Sequence, residues 1–318
     1  MEAAIQPNAT YGLEVRKIPG TSGDVSVTAD DVTTLAPAAV NYDSQSDKSV
    51  ATIGVSTGIA LVSRAVTARL GAVATDTSPG AVTVDVAGGV SLDARGAGAV
   101  VSTAIAGSNR STKTTPANAG GDLGGELPGD VTLDRIGIGA TGAVAIARVD
   151  DSVASVVNHT GRMATAAGKP LTVSARNAST ILANSGGLAM RTVAGDEKVS
   201  AGLSGAVSLI AAASDVEASV RRATIDGFSL DVAARSSRAI GTAAASGSAG
   251  GVGGAGSLTV NFAGSVAIQS LTTTTIATLD RVTGTSLAGA SVVAETKDLV
   301  WDVAGSFVGN VSSTLVQT

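Results

Sequence analysis

Three groups of residues in this 318-residue chain carry side chains that acid–base or metal chemistry would use. The first is the pair of adjacent aspartates, present twice, as Asp30-Asp31 and Asp150-Asp151. Hydrolysis or elimination on polysaccharides needs clustered carboxylates on one face, usually beside a His, Arg or Lys. Neighbours on a strand point to opposite faces, so neither pair converges by itself. Both read as points where a strand exits into a turn. The second is His159, the one histidine, within Val156-Val157-Asn158-His159-Thr160-Gly161. Without a second His or any Cys it does not build a transition-metal site, and it reads as an exposed turn residue. The third is the acidic stretch Asp122-Leu123-Gly124-Gly125-Glu126-Leu127-Pro128-Gly129-Asp130. Calcium takes about six to eight oxygens, but neither the EF-hand spacing nor the calcium-binding nonapeptide of secreted β-rolls is present. A solvated loop is the expected state, with calcium as the alternative.

The remaining candidates are weaker. Glycine-rich Gly247 to Gly256 lacks the Lys-Ser/Thr that would follow a phosphate-cradling loop. Trp301, Tyr11 and Tyr42 lie far apart in sequence, which argues against an aromatic sugar platform. The expectation is therefore no catalytic residue, no metal ligand and no cofactor: not an enzyme.

Composition says what kind of scaffold holds these residues. Gly occurs 40 times, whereas Phe, Tyr and Trp number 3, 2 and 1. Aromatic side chains normally dominate core burial, so this interior must be built from many small Val, Ile, Leu and Ala contacts. Hydrophobic residues at 44%, charged residues at 15% and a mean hydropathy of +0.35 exclude a disordered chain. A net charge of −5 and a pI near 4.9 offer no basic field for nucleic acid. No uninterrupted apolar run reaches the roughly 18 residues of a membrane span. With no Cys there are no disulfides, which is compatible with an oxidising exterior. The start, Met1-Glu2-Ala3-Ala4-Ile5-Gln6-Pro7, lacks the pattern of a secretory signal. Either the protein stays inside, or Met1 heads a fragment of a longer chain.

A short alternating pattern recurs five times, as Val25 to Asp30, Val90 to Arg95, Leu171 to Arg176, Leu230 to Arg235 and, more weakly, Ala290 to Glu295. Its odd positions are aliphatic, its fifth is always Ala and its sixth always charged. Period-two alternation marks a strand with one buried face, and the charge reads as the point where that strand leaves the core. A second pattern, Gly139 to Ile146, resembles Gly202 to Leu209 and Gly253 to Val260, with Gly54 to Leu61 shifted by one. Glycine at constant phase suggests a tight corner or a close backbone approach. A third echo is Ala223-Thr224-Ile225-Asp226 with Ala277-Thr278-Leu279-Asp280. The copies are spaced by 65, 81, 59 and 60 residues, and the long unit contains a polar, Pro- and Gly-bearing excursion over 108–130.

Each unit of about 60 residues then holds several short strands and no convincing helix. Ala211 to Ala223 is the best helical candidate, yet its counterparts read as strand, so strand is expected there. The expected fold is all-β: a right-handed parallel β-helix, or β-solenoid, with about three coils of about 20 residues per unit. That makes roughly 15 coils in a rod about 70 Å long. Residues 1–22 are an entry segment or partial coil, and 23–318 a single solenoid with the loop excursion at 108–130. A pair of β-sandwiches and an Ala-rich helical bundle fit the repeat and the alternation less well. No capping element is evident and the chain stops in mid-pattern, which favours the fragment reading.

With these repeats in view, the chain resembles the stalks of giant secreted bacterial surface proteins, the filamentous-haemagglutinin-like and leukotoxin-like large adhesins. The likeness rests on the strands Leu171 to Ala175 and Leu230 to Ala234, the Gly- and Ala-rich stretch Ala249 to Gly256, the strand Ser257 to Phe262 and the closing segment Thr275 to Asp280. It covers most of 23–318. The resemblance implies display outside a bacterial cell by a stiff rod, with a host or cell-surface ligand unidentified. The expected partners are neighbouring coils of the parent chain or end-to-end copies, with no nucleic acid and no membrane span. Two alternatives stand beside the stalk: a carbohydrate-active β-helix enzyme or tail-fibre depolymerase, and an end-to-end self-assembling filament subunit.

Overall fold

The computed structural model describes residues 1–5, 13–16, 23–46, 51–71, 82–111, 136–158, 160–192, 199–251, 258–285 and 287–311. These form thirteen strands: β1 (Glu2–Ile5), β2 (Leu13–Arg16), β3 (Val25–Leu35), β4 (Ala38–Ser46), β5 (Ala51–Gly71), β6 (Val82–Val86), β7 (Val90–Ser111), β8 (Ile136–Asn158), β9 (Thr160–Thr192), β10 (Val199–Arg221), β11 (Thr224–Gly251), β12 (Leu258–Asp280) and β13 (Gly289–Val311). The fold is all-β, and no described helix is long and apolar enough to cross a membrane. The expected strand over 211–223 is found, since β10 runs through to Arg221.

All strand pairing is parallel. A first sheet has the order β1-β5-β8-β10-β12, and a second runs β13-β11-β9-β6-β2, with β7 beside β9 and β3 and β4 beside β7. From β5 onward the chain alternates between the sheets, and each return adds a strand next to the previous one. Residues of like kind therefore stack in straight columns. Val25, Val90, Leu171, Leu230 and Ala290 form one column. Ala29, Ala94, Ala175, Ala234 and Ala294 form another, and the first four of these alanines are at most 1% exposed. The five recurring strands found in the sequence thus lie directly on one another, with the fifth-position Ala inward; only Ala294, in the outermost strand β13, is exposed.

Three details differ from the sequence reading. Each repeat makes one layer rather than three coils, so the described residues stack as five layers, not roughly 15. The strands of about 23 residues span about 75 Å, while the five layers rise only about 20–24 Å. Part of the reason lies in inward glycines such as Gly54 and Gly58, which mark close approaches and not corners. A Cβ on Gly54 would lie 2.5 Å from the Gly107 carbonyl oxygen of the facing sheet, and one on Gly58 would lie 2.5 Å from that of Thr103. Secondly, the register pairs Gly202 with Asn261 and Gly139 with Thr52, so Gly253 to Val260 and Gly54 to Leu61 are out of phase with Gly139 to Ile146. Thirdly, Ala277 to Asp280 ends a first-sheet strand, whereas Ala223 to Asp226 opens a second-sheet one, so that echo joins non-equivalent places. In the entry segment, β1 pairs with β5 and β2 with β6. Of the 108–130 excursion, Ser108 to Ser111 complete β7 and the rest lies outside the described residues.

The interior has two halves. At one end the first sheet, the short strand β6 with the opening residues of β9 and β11, and the start of the long second-sheet strands enclose Val, Leu, Ile and Met side chains around the fully buried Phe228. The bend that makes this third side falls at Gly227, where φ is +81° and a Cβ would meet the Thr165 carbonyl oxygen at 2.5 Å; only glycine fits there comfortably. Toward the other end the two sheets close on each other through Ala and Gly. Serine hydroxyls bridge them there: Ser204 Oγ donates to the Gly187 carbonyl at 2.8 Å, and Ser208 Oγ to that of Ala243 at 2.6 Å. The buried Ser204 and Ser208 hydroxyls are tolerated because they are hydrogen-bonded.

Candidate functional site: a buried polar seam and a charged outer ladder

The carboxylate pairs sit in the middle of strands, not at exits. Asp31 accepts from Thr33 Oγ1 at 2.7 Å in β3, and its neighbour Asp30 is exposed. In β8 the alternation separates the second pair completely. Asp150 faces outward and meets Arg148 at 3.1 Å. Asp151 points inward, where Arg64 of β5 donates Nε to Oδ1 at 2.8 Å and Nη2 to Oδ2 at 2.5 Å. The Arg64 and Asp151 side chains are 4% and 1% exposed. Neither pair converges on a common point, as the strand geometry requires.

The inward Asp151 belongs to a seam that crosses the stack where the two halves of the interior meet. Arg64, Asp151, Ser214 and Thr273 are one column of the first sheet. Asn177 of the second sheet donates its Nδ2 to Asp151 Oδ2 at 3.1 Å and to Ser214 Oγ at 2.8 Å. Arg64 Nη1 also donates to the Ala97 carbonyl. One layer on, the buried Arg238 bonds to Asp298 at 2.6 Å and to the Thr273 hydroxyl, which itself donates to Asp298 at 3.0 Å. Burial alone would raise the Asp298 carboxyl, but the Arg238 guanidinium together with the Thr273 hydroxyl and the Arg238 amide outweighs it and holds the group below its usual range. The seam holds Arg64 with Asp151 and Arg238 with Asp298 as bidentate pairs inside a protein wall, an arrangement that fixes the facing register of two sheets.

The charged sixth positions form a ladder on the outer face of the second sheet: Asp30, Arg95, Arg176, Arg235 and Glu295. The strands continue past them. Arg95 bonds to Asp93 Oδ2 at 2.6 Å, Arg176 to Ser174 Oγ at 3.0 Å, and Arg235 lies 3.5 Å from Glu295. The hydrogen bond and charge of Asp93 raise Arg95 further above its ordinary value, and Lys297 lowers Glu295. Beside the ladder a shallow cleft of about 690 Å³ is lined by Thr180, Ser237, Ala239, Lys297 and Leu299. Arg95 and Arg235 thus meet carboxylates along this face, and Arg176 a hydroxyl.

A second ionic cluster clamps the corner. Asp226 accepts from Arg162 Nε at 2.8 Å, from the Thr285 amide at 2.8 Å and from the Thr285 hydroxyl at 2.7 Å, joining three successive layers. Arg162 foremost, then Thr285, holds the Asp226 carboxyl down at about 2. Because the folded value lies below the ordinary Asp value of about 3.9, this clamp stabilises the fold above that pH and is lost as pH falls through about 2. A carboxyl titration followed by NMR should place the Asp226 midpoint at about 2, and Arg162→Gln should move it upward toward the ordinary range. An unchanged midpoint in the variant would contradict the clamp.

The other candidates are dispersed. His159 and Asp122 to Asp130 lie outside the described residues, as does Tyr11. Tyr42 lies in β4 and Trp301 in β13, at opposite ends of the stack. Among the described residues no three His, Cys, Asp or Glu side chains are placed to hold a metal ion. Arg64, Arg238 and Asn177 were not singled out from sequence, yet their signal was present: each occupies the inward phase of an alternating run, between Val62 and Val66 in the case of Arg64. Compared with protein-family models, curated proteins and solved structures, the chain matches none.

Proposed function

We propose that the chain is a structural segment of a parallel, right-handed β-helix, part of the stiff stalk of a giant bacterial surface protein outside the cell, and that it is not an enzyme. The observation that carries this reading is the unbroken register: the recurring strand keeps its aliphatic positions and its Ala in the same columns through all five layers, with that Ala buried in the first four. A scaffold in which each layer is the template of the next lengthens by repetition without changing its cross-section, which is what a spacer needs. The engagement of the inward charges within the wall supports the same reading, because polysaccharide chemistry needs convergent carboxylates in an open groove.

Removing residues 200–258 tests it. The deletion joins Val199 to Thr259, and Val199 already shares a column with Leu258, so one whole layer is lost in register. The shortened chain should keep its β-sheet circular dichroism and unfold in a single transition. Loss of the fold would overturn the modular stalk. Incubation of the intact chain with acidic polysaccharides should leave their length unchanged; shortened or unsaturated products would make it an enzyme.

A further inference from the structure

The outer face of the first sheet has the wrong polarity for a surface facing water. Along β5 the inward positions are Thr52, Gly54, Ser56 and Gly58, while the outward ones include Ile53, Val55, Ile59 and Leu61, with Ile53 and Leu61 62% and 64% exposed. The same inversion runs through the next layers. Ile59, Ile146, Leu209 and Ile268 form one outward column, and Thr57, Val144, Val207 and Val266 form another. No Asp, Glu, Lys or Arg occurs in 51–63, 136–147, 199–214 or 258–279. Four strands about 4.8 Å apart and nine residues of extended chain give a flat apolar area of roughly 600 Å². That is the upper end of what monomeric proteins expose in one patch, where such patches are often functional.

Between two apolar ridges runs a groove of stacked glycines, Gly142, Gly205 and Gly264. The fold does not demand glycine there: a Cβ at Gly142 or Gly264 would meet nothing within 4 Å, and at Gly205 only the Thr141 carbonyl oxygen at 4.0 Å. The groove adjoins the Val144–Val207–Val266 ridge, two residues along each strand. A two-fold axis parallel to the stack and midway between groove and ridge places the ridge of each copy in the groove of the other, layer against layer. Only another stacked sheet presents side chains at the same pitch as the groove. Two such faces bury about 1,200 Å² together, the lower bound of specific interfaces, and an isologous contact of this kind closes as a dimer.

We infer that the outer face of the first sheet is a pairing surface for a second copy of this chain, so that two stacks lie side by side with axes parallel. The inference does not depend on the stalk reading. Sedimentation equilibrium of the 318-residue chain should show a monomer–dimer equilibrium. Val207→Lys, on the ridge, and Gly264→Leu, which fills the groove from a position whose Cβ has open space, should each weaken it roughly tenfold or more with unchanged circular dichroism. Ala178→Lys, on the exposed face of the second sheet, should not. A wild-type chain that stays monomeric, or variants that associate like wild type through strand edges, would overturn it. So would flotation with neutral phosphatidylcholine vesicles by a chain monomeric in buffer, which would assign the face to lipid.

Discussion

Asp151→Ala is expected to remove about 3–5 kcal/mol of folding free energy, because it leaves the Arg64 guanidinium charged inside the wall without its partner. Arg64 is 4% exposed on its side chain and its remaining bond is to the Ala97 carbonyl, so water cannot take the place of the carboxylate. Asn177 loses an acceptor at the same time. Urea denaturation should show the midpoint falling with little change in slope. Replacing both partners, Arg64→Met with Asp151→Leu, should recover most of the loss, since a buried ion pair exchanged for apolar side chains is often close to neutral. The outward pair in the same strand supplies the contrast. Arg148 and Asp150 are 64% and 43% exposed, and Arg148→Ala should cost well under about 1 kcal/mol. If Asp151→Ala costs no more than Arg148→Ala, the seam does not hold the sheets together.

Phe228→Ala should have a comparable effect, about 3–5 kcal/mol, through a cavity and not through charge. Phe228 is fully buried and the largest such side chain described. It follows the Gly227 bend and fills the triangular end where Val, Leu, Ile and Met come from three sides. Its column neighbour in β9 is Lys169, so no other layer supplies an equivalent aromatic. Phe228→Leu should recover part of the loss by keeping much of the volume. Thermal unfolding by calorimetry measures all three proteins. A loss below about 1 kcal/mol for the alanine variant would mean that the surrounding aliphatic side chains collapse into the space.

Strand class, parallel stacking and the inward face were legible in the sequence because period-two alternation and a fixed copy spacing are local properties. Ala29, Ala94, Ala175 and Ala234 could be assigned to one column before any coordinates. The number of strands per repeat was not legible. Glycine serves equally as a corner and as a place where two backbones nearly touch, and only the facing sheet, seen at Gly54 and Gly58, separates the two. The same ambiguity misaligned Gly253 with Gly202. The ion pair of Arg64 with Asp151 joins residues 87 apart in sequence. Parity placed each of them inward, but that they meet depends on the stack, which no short window contains. Phe228 was hidden for another reason: it sits once at a bend, outside the repeating pattern.

The in-register stack also dictates how the polypeptide must acquire its structure. Among the described residues the nearest ladder partners, such as Val199 and Leu258, are 59 residues apart, and no two of the described strands pair through a tight hairpin. Closing so long a loop costs chain entropy before any bond rewards it, and topologies of this type mature slowly, over milliseconds to seconds or longer. The expensive event is the first closure of two layers; afterwards each arriving strand finds a finished edge to copy. Maturation should therefore spread outward from a single nucleus along the axis, zipper-fashion, with the outermost layers the last to gain protection and the first to surrender it.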